Sequence, residues 1–224
     1  LILGASGRTG LLTLQRSLES SHTVTALVRN PSSIPADLAS NSNLTIVKGT
    51  PQSSSDVLKA LSTPKAPDAV FFAINARRTT ENPFAPLSPD SPADLLPACM
   101  RILVDAIAQK NIKPKLIMQS SCGAGSSWQA MSWIMRQLFT RSTMMNAIEQ
   151  HNAVDKIVRE SGLTFVMPRP GRLTDTGAAE VVDLGDDGKG LKLMSGISRE
   201  SVAHWMVSAA ETNKYDGKSP VLVN

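Results

Sequence analysis

Seven residues near the start of the chain combine residue type with spacing: Gly4-Ala5-Ser6-Gly7-Arg8-Thr9-Gly10. Glycines so placed clear side chains from a turn, and its backbone N–H groups can then meet an oxyanion such as a diphosphate. A second feature is Ala26-Leu27-Val28-Arg29-Asn30. In dinucleotide folds an acidic residue about 20 residues beyond the glycine turn binds the adenosine ribose hydroxyls and repels a 2′-phosphate. This chain offers Arg29 there, a guanidinium suited to a phosphate. Arg8, inside the turn, is expected to point to the same region. Two arginines and no carboxylate favour NADP over NAD.

These residues need a strand before the turn and a helix after it. Leu1-Ile2-Leu3 is an apolar run fit for a buried strand, and Leu11, Leu12, Leu14 and Leu18 recur at helical spacing. Gly4 then allows the sharp exit from the strand, Gly7 leaves room for the pyrophosphate, and Gly10 lets the helix pack close to the sheet. Further strands are expected at 23–28, 44–47, 69–74, 115–120 and 164–167, with a last one at 221–223. Helices are expected at 56–61, 95–109, 144–160 and 199–211, the last capped by Ser198. The alternation implies one α/β domain over 1–224. Its expected form is a Rossmann-like, doubly wound parallel sheet with a small C-terminal substrate-side portion.

Three segments, around 76–97, 122–146 and 171–198, are expected on the substrate side, and the first two are longer than the scaffold requires. The first holds Pro83, Pro86, Pro89, Pro92 and Pro97, and it follows the fourth strand on the side where open sheets bind ligands. The second carries Trp128, Met131, Trp133 and Met135, with Ile134, Leu138, Phe139, Met144 and Met145. Large adaptable side chains of this kind line substrate pockets or pack a helix face onto the domain.

Composition excludes other classes. With 224 residues, 42% hydrophobic and net charge +4, the chain supports a sizeable core. No dense basic run points to nucleic acid, and no segment is long and apolar enough for a membrane. Cys99 and Cys122 lack metal-ligand spacing, and His22, His151 and His204 match no zinc pattern. A reduced, cytoplasmic setting without a metal is expected. Leu1 already stands inside the first strand, so the native N-terminus is expected upstream.

The glycine turn and Ala26-Leu27-Val28-Arg29-Asn30-Pro31 resemble the atypical short-chain dehydrogenase/reductases. More narrowly, the chain is similar to their NmrA-like, NAD(P)H-binding branch, which includes flavin, biliverdin and quinone reductases. Further matches follow in order: Pro67-Asp68-Ala69-Val70-Phe71-Phe72-Ala73, Lys115-Leu116-Ile117-Met118-Gln119-Ser120-Ser121, the segment from Ser161 to Pro170, and Ile197-Ser198-Arg199-Glu200-Ser201-Val202-Ala203. The resemblance implies NADP(H) laid across the carboxyl edge of the sheet. Gly4, Ser6, Gly7, Arg8 and Thr9 would contact its phosphates, and Arg29 the 2′-phosphate. Ala73, Ile74 and Asn75 would line the adenosine and central part. Ser120, Ser121 and Cys122 would approach the nicotinamide, and Arg169, Pro170, Gly171 and Arg172 would wrap its carboxamide side.

Better-known relatives use a Tyr-x-x-x-Lys pair for proton transfer. Here the single tyrosine is Tyr215. Aligning the family helix on Asp155 puts Ala147 in the tyrosine place and His151 in the lysine place. His151 is therefore the candidate for ribose contact or proton donation near neutral pH, or else a polar, partly exposed helix residue. Ser121 is the candidate for orienting a carbonyl. Three readings follow. The first is a reductase passing hydride from NADPH to an apolar or aromatic carbonyl, quinone or flavin-like acceptor, with a place in secondary metabolism. The second is a non-catalytic NADP(H)-binding redox sensor with a protein partner, and the third an isomerase or cyclase on the same fold. Expected partners are a small apolar or aromatic substrate, with neither nucleic acid nor membrane; a homodimer stays open.

Overall fold

The structure, a computed structural model, describes residues 1–80 and 82–224. Its centre is β1 (Ile2–Leu3), flanked by β2 (Val24–Val28) and β4 (Ala69–Phe72). With β3 (Leu44–Lys48), β5 (Lys115–Met118) and β6 (Phe165–Val166) they form a six-stranded sheet of order β3-β2-β1-β4-β5-β6. Every pairing in it is parallel. The chain builds outward from β1 in one direction through β3, then returns to β1's other side for β4. That reversal defines a topological switch point between β1 and β4, the place where open α/β sheets bind ligands.

Both faces are covered, which is why the strands read as continuous apolar runs. Successive side chains go to opposite faces. Leu3, Leu27, Val70, Phe72, Leu116 and Met118 join one core. Ile2, Ala26, Val28, Phe71 and Ile117 join the other. The first core is closed by α3 (Ser54–Ala60), α4 (Leu95–Lys110) and α6 (Met144–Glu160). The second is closed by α1 (Arg8–Glu19) and α7 (Arg199–Glu211). A short α2 (Ala36–Ala39) precedes β3, and α5 (Trp133–Thr140) lies in the long connection after β5.

The helix ends follow local chemistry. The Ser198 hydroxyl accepts from the Ser201 N–H at 2.9 Å and caps α7, as its position predicts. Asn111 ends α4 in the left-handed conformation at φ 52°. The helix expected at 144–160 forms over those residues as α6.

The C-terminal portion adds two small sheets. β8 (Arg172–Thr174) pairs with β10 (Gly196–Ser198), and β11 (Val221–Val223) lies between β7 (Arg169–Pro170) and β9 (Val182–Asp183). The last strand, 221–223, therefore belongs to this portion and not to the main sheet. Pro168 and Pro170 explain the change. They carry no N–H and present only carbonyls to the chain leaving β5. Their other edge turns to the C-terminus, where Arg169 N–H donates to Pro220 at 2.8 Å.

Candidate functional site

Gly4 leaves β1 with φ +88°. A Cβ there would stand 2.6 Å from the Ala73 carbonyl oxygen, so Gly4 sits where the ends of β1 and β4 meet. A Cβ on Gly10 would overlap the Gly4 carbonyl, and only a hydrogen lets α1 come this near the strand end. Gly7 is the N-cap of α1 and provides no side-chain cap. Its N–H donates back to the Gly4 carbonyl at 2.9 Å. The first N–H groups of a helix have no intrahelical acceptor. At α1 no capping side chain takes them, so an oxyanion would complete the turn and meet the positive end of the helix dipole. The residues present fit a dinucleotide diphosphate. Thr9 and Gly10 are buried beneath the turn, and Ser6 is exposed above it.

A cleft of about 100 Å³ opens beside the turn. Gly4, Ser6, Arg29, Ile74 and Asn75, all expected near the cofactor, line it together. Ala73 backs it and donates its N–H to the Leu3 carbonyl at 2.9 Å. Arg77 and Asp90 complete the wall. One Asp90 oxygen accepts from Arg29 at 3.3 and 3.4 Å and from Arg77. The other accepts from the Ser88 hydroxyl at 2.7 Å. These hydrogen bonds, Ser88's first and Arg77's next, hold the carboxyl down to about 2. Arg8, expected to point to the same region as Arg29, is not part of this lining; one of its guanidinium nitrogens stands 3.5 Å from Asp175, a carboxylate that Arg199 also holds at the start of α7.

Beyond β5 the expected nicotinamide side is densely tied. Ser120 N–H donates to the Pro168 carbonyl at 2.9 Å and Cys122 N–H to that of Pro170 at 3.0 Å. The Ser121 hydroxyl donates to the Cys122 carbonyl at 3.1 Å. Burial pushes the Cys122 thiol up to about 11, so it is not a thiolate near neutral pH. Arg169, expected on the carboxamide, is 2% exposed. Its guanidinium donates to the Ser126 hydroxyl at 2.8 Å, the Asp186 carbonyl at 2.9 Å and Asp155 at 3.4 Å. It ties three segments together, although its buried Nε has no partner among the described residues. Gly171 packs against the Ser195 carbonyl, and Arg172 is exposed.

His151 is 3% exposed on α6, and its Nδ1 has no hydrogen-bond partner among the described residues. Burial pushes its pKa down to about 4. Burial therefore weighs against an imidazolium donating a proton near neutral pH, and the ring is buried, not the partly exposed helix residue of the alternative. The neutral ring retains one unspent polar atom. Asp155, one turn further along α6, is committed to Arg159 at 2.7 Å and to Arg169. Tyr215 packs against Trp205 with ring centroids 4.6 Å apart and planes tilted by 52°. Its neighbour Asp216 pairs at 2.6 Å with Lys115, the first residue of β5, which places Tyr215 at the opposite edge of the sheet from the glycine turn.

The family model described as NAD(P)H-binding matches residues 4–213. The chain belongs to this NAD(P)H-binding family. Among solved structures it is similar to ChuY, an anaerobillin reductase from Escherichia coli O157:H7, with TM-score 0.76 and 18% identity over 99% of this chain and 95% of that one. It is also similar to a short-chain dehydrogenase/reductase from Veillonella parvula in complex with NADP, with TM-score 0.77 and 17% identity over 100% and 93%. A third is the oxidoreductase ylbE from Lactococcus lactis, with TM-score 0.74 and 17% identity over 100% and 89%. The expected atypical short-chain dehydrogenase/reductase resemblance and the Rossmann-like sheet are borne out. The molecule is a member of an NAD(P)H-binding family with a Rossmann-like fold.

Within this family member, the segment after β5 forms its own apolar cluster. Met131, Phe139 and Ile148 are buried there, with Trp128, Met135, Met144 and Met145 packed against them. Trp133 lies outside this cluster and stands 68% exposed. The helical period explains it: Met135 and Phe139 share one face of α5, and Trp133 lies about 200° around from Met135 at 100° per residue. Sequence reasoning missed Arg77 and Asp90. The available signal was a basic pair, Arg77-Arg78, directly after the fourth strand. Among the described residues no helix is long and apolar enough to cross a membrane.

Proposed function

We propose that this protein is an NADPH-dependent reductase of an apolar or aromatic carbonyl, quinone or flavin-like acceptor. One observation carries the cofactor choice: Arg29 and Arg77 project into the same cleft as the glycine turn. The N–H groups opening α1 would hold the diphosphate, and the two guanidiniums the 2′-phosphate. Ile74 and Asn75 would line the middle of the cofactor, and the 120–122 edge would face its nicotinamide end. When bound, NADPH supplies the hydride.

The acceptor class follows from what the side chains can do with protons. His151 is neutral above about pH 4 and the Cys122 thiol stays protonated to about pH 11, so neither exchanges a proton easily near neutral pH. Quinones and flavins accept hydride without a strong enzymic acid, and solvent can provide protons afterwards. The cluster around Met131 and Phe139 would exclude water and offer an apolar wall. The same lack of a proton donor favours a second reading, an NADP(H)-binding redox sensor without turnover.

The test is Arg29→Asp. NADPH binding, followed by nicotinamide fluorescence, should weaken about a hundredfold, the loss typical of a removed charge-assisted phosphate contact. NADH binding should change far less; equal losses would sink the 2′-phosphate assignment. Turnover with a panel of quinones, flavins and aromatic ketones supports the reductase. Tight NADPH binding with no oxidation by any of them supports the sensor.

A further inference from the structure

The proline-rich segment after β4 delivers a carboxylate to the arginine cleft. Its two arms run antiparallel, with Thr79 N–H donating to the Pro86 carbonyl at 2.9 Å and Ser88 N–H to that of Arg77 at 2.8 Å. The Ser91 hydroxyl accepts from Arg77 N–H at 3.1 Å. This folds the turn carrying Asp90 back over the cleft. The far end is pinned separately: the Thr143 hydroxyl, before α6, donates to the Pro83 and Ala85 carbonyls at 2.7 and 2.8 Å. Asp90 is thus presented by a built hairpin, and its placement between Arg29 and Arg77 follows from that hairpin.

Resting on the reading that NADP(H) is the cofactor, we infer that Asp90 is a specificity-determining residue that competes with the cofactor's 2′-phosphate for Arg29 and Arg77. Two guanidiniums and one carboxylate leave the cleft with a single net positive charge. A phosphomonoester carries about −1.5 to −2 near neutral pH. With Asp90 in place, that group meets a like charge on the donors it needs, and the juxtaposition is repulsive. With Asp90 displaced, the two arginines balance it. A ribose 2′-hydroxyl makes no such demand, because it can donate to the carboxylate. Asp90 therefore narrows the preference for NADP(H) over NAD(H) that the arginines alone would impose. Binding of the 2′-phosphate requires the Asp90 end of the hairpin to move.

The test measures binding of adenosine 2′,5′-bisphosphate and of 5′-AMP to the full chain by calorimetry. Asp90→Asn should tighten the bisphosphate about tenfold, as expected for lifting one like charge from a partly solvated site, and leave 5′-AMP unchanged or weaker. Asp90→Glu, which keeps the charge, should hold the wild-type ratio. An unchanged or weakened bisphosphate affinity in Asp90→Asn overturns the inference. So does an equal gain in Asp90→Glu, which would mark a disturbed hairpin and not a removed charge. Arg29→Asp separates the two levels. If it abolishes the preference for the bisphosphate while Asp90→Asn moves nothing, the competition alone fails. If it leaves the preference intact, the NADP reading fails with it.

Discussion

The glycine corner and the region beyond β5 are built by different means. Between Gly4 and Gly10 the recognition surface is backbone, made possible by absent side chains. Beyond β5 it is side chains, and most polar groups there are already spent on the protein. Arg169 holds Ser126, Asp155 and Asp186, and Cys122 and Ser120 donate to the proline carbonyls beside them. A backbone site is defined by the space around it. A side-chain site is defined by which of several partners each group meets, and that is settled only when distant segments converge.

The contrast breaks most readily at Gly10. Gly10→Ala would drive a methyl into the Gly4 carbonyl, with backbone on both sides and nothing flexible to yield. A loss of about 3 kcal/mol or more is expected, at the upper end for overpacking, measured by urea denaturation. A change below 1 kcal/mol would mean that the helix can slide off the strand and that the corner is not built by close approach.

Arg169→Ala tests the other region at a similar scale. Losing a buried guanidinium removes its hydrogen bonds to Ser126, the Asp186 carbonyl and Asp155, which keeps Arg159, and leaves a void, at a cost of about 2 to 3 kcal/mol. The loss should appear in stability, with NADPH affinity for the folded protein changed by less than the Arg29→Asp effect. Wild-type stability combined with a large loss of NADPH affinity would restore the carboxamide contact.

His151 offers a pH test. Its folded pKa is depressed to about 4 from an ordinary 6.5. Between these values the unfolded chain binds a proton that the folded one refuses, so stability falls as pH drops through that window and levels off below it. The largest possible contribution is about 3 kcal/mol, from 1.36 kcal/mol per unit. Denaturation profiles between pH 4 and 7 should be flatter for His151→Asn than for the wild type. Parallel profiles would mean that the ring is solvated and free to titrate, as its place on a polar helix first suggested.

The legible part of the site is the part fixed by local spacing. Gly4, Ser6, Gly7 and Gly10 could be assigned because their meaning lies within one strand–turn–helix unit. Arg29 could be assigned because it ends the next strand. Ile74 and Asn75 came from the family resemblance of the segment that ends the fourth strand. The burial of Trp133 could not be read from the sequence, because one helical turn decides which residues of α5 face inward. Arg169 could not be resolved from the sequence, because an arginine after a strand looks the same whether it meets a ligand or an aspartate from another element. Asp90 was invisible because its partners, Arg29 and Arg77, come from the ends of two different strands.

By itself the sequence determined the parallel sheet, the glycine corner and membership of an NAD(P)H-binding family. Apolar periodicity and steric clearance act over a few residues and can be read along a chain. Only the tertiary structure decided which charges are paired. It placed Asp90 between two arginines, withdrew Arg169 into a buried tie and made His151 a neutral interior residue. Electrostatic partners and burial depend on segments far apart in the chain, and no local pattern records which of them will meet.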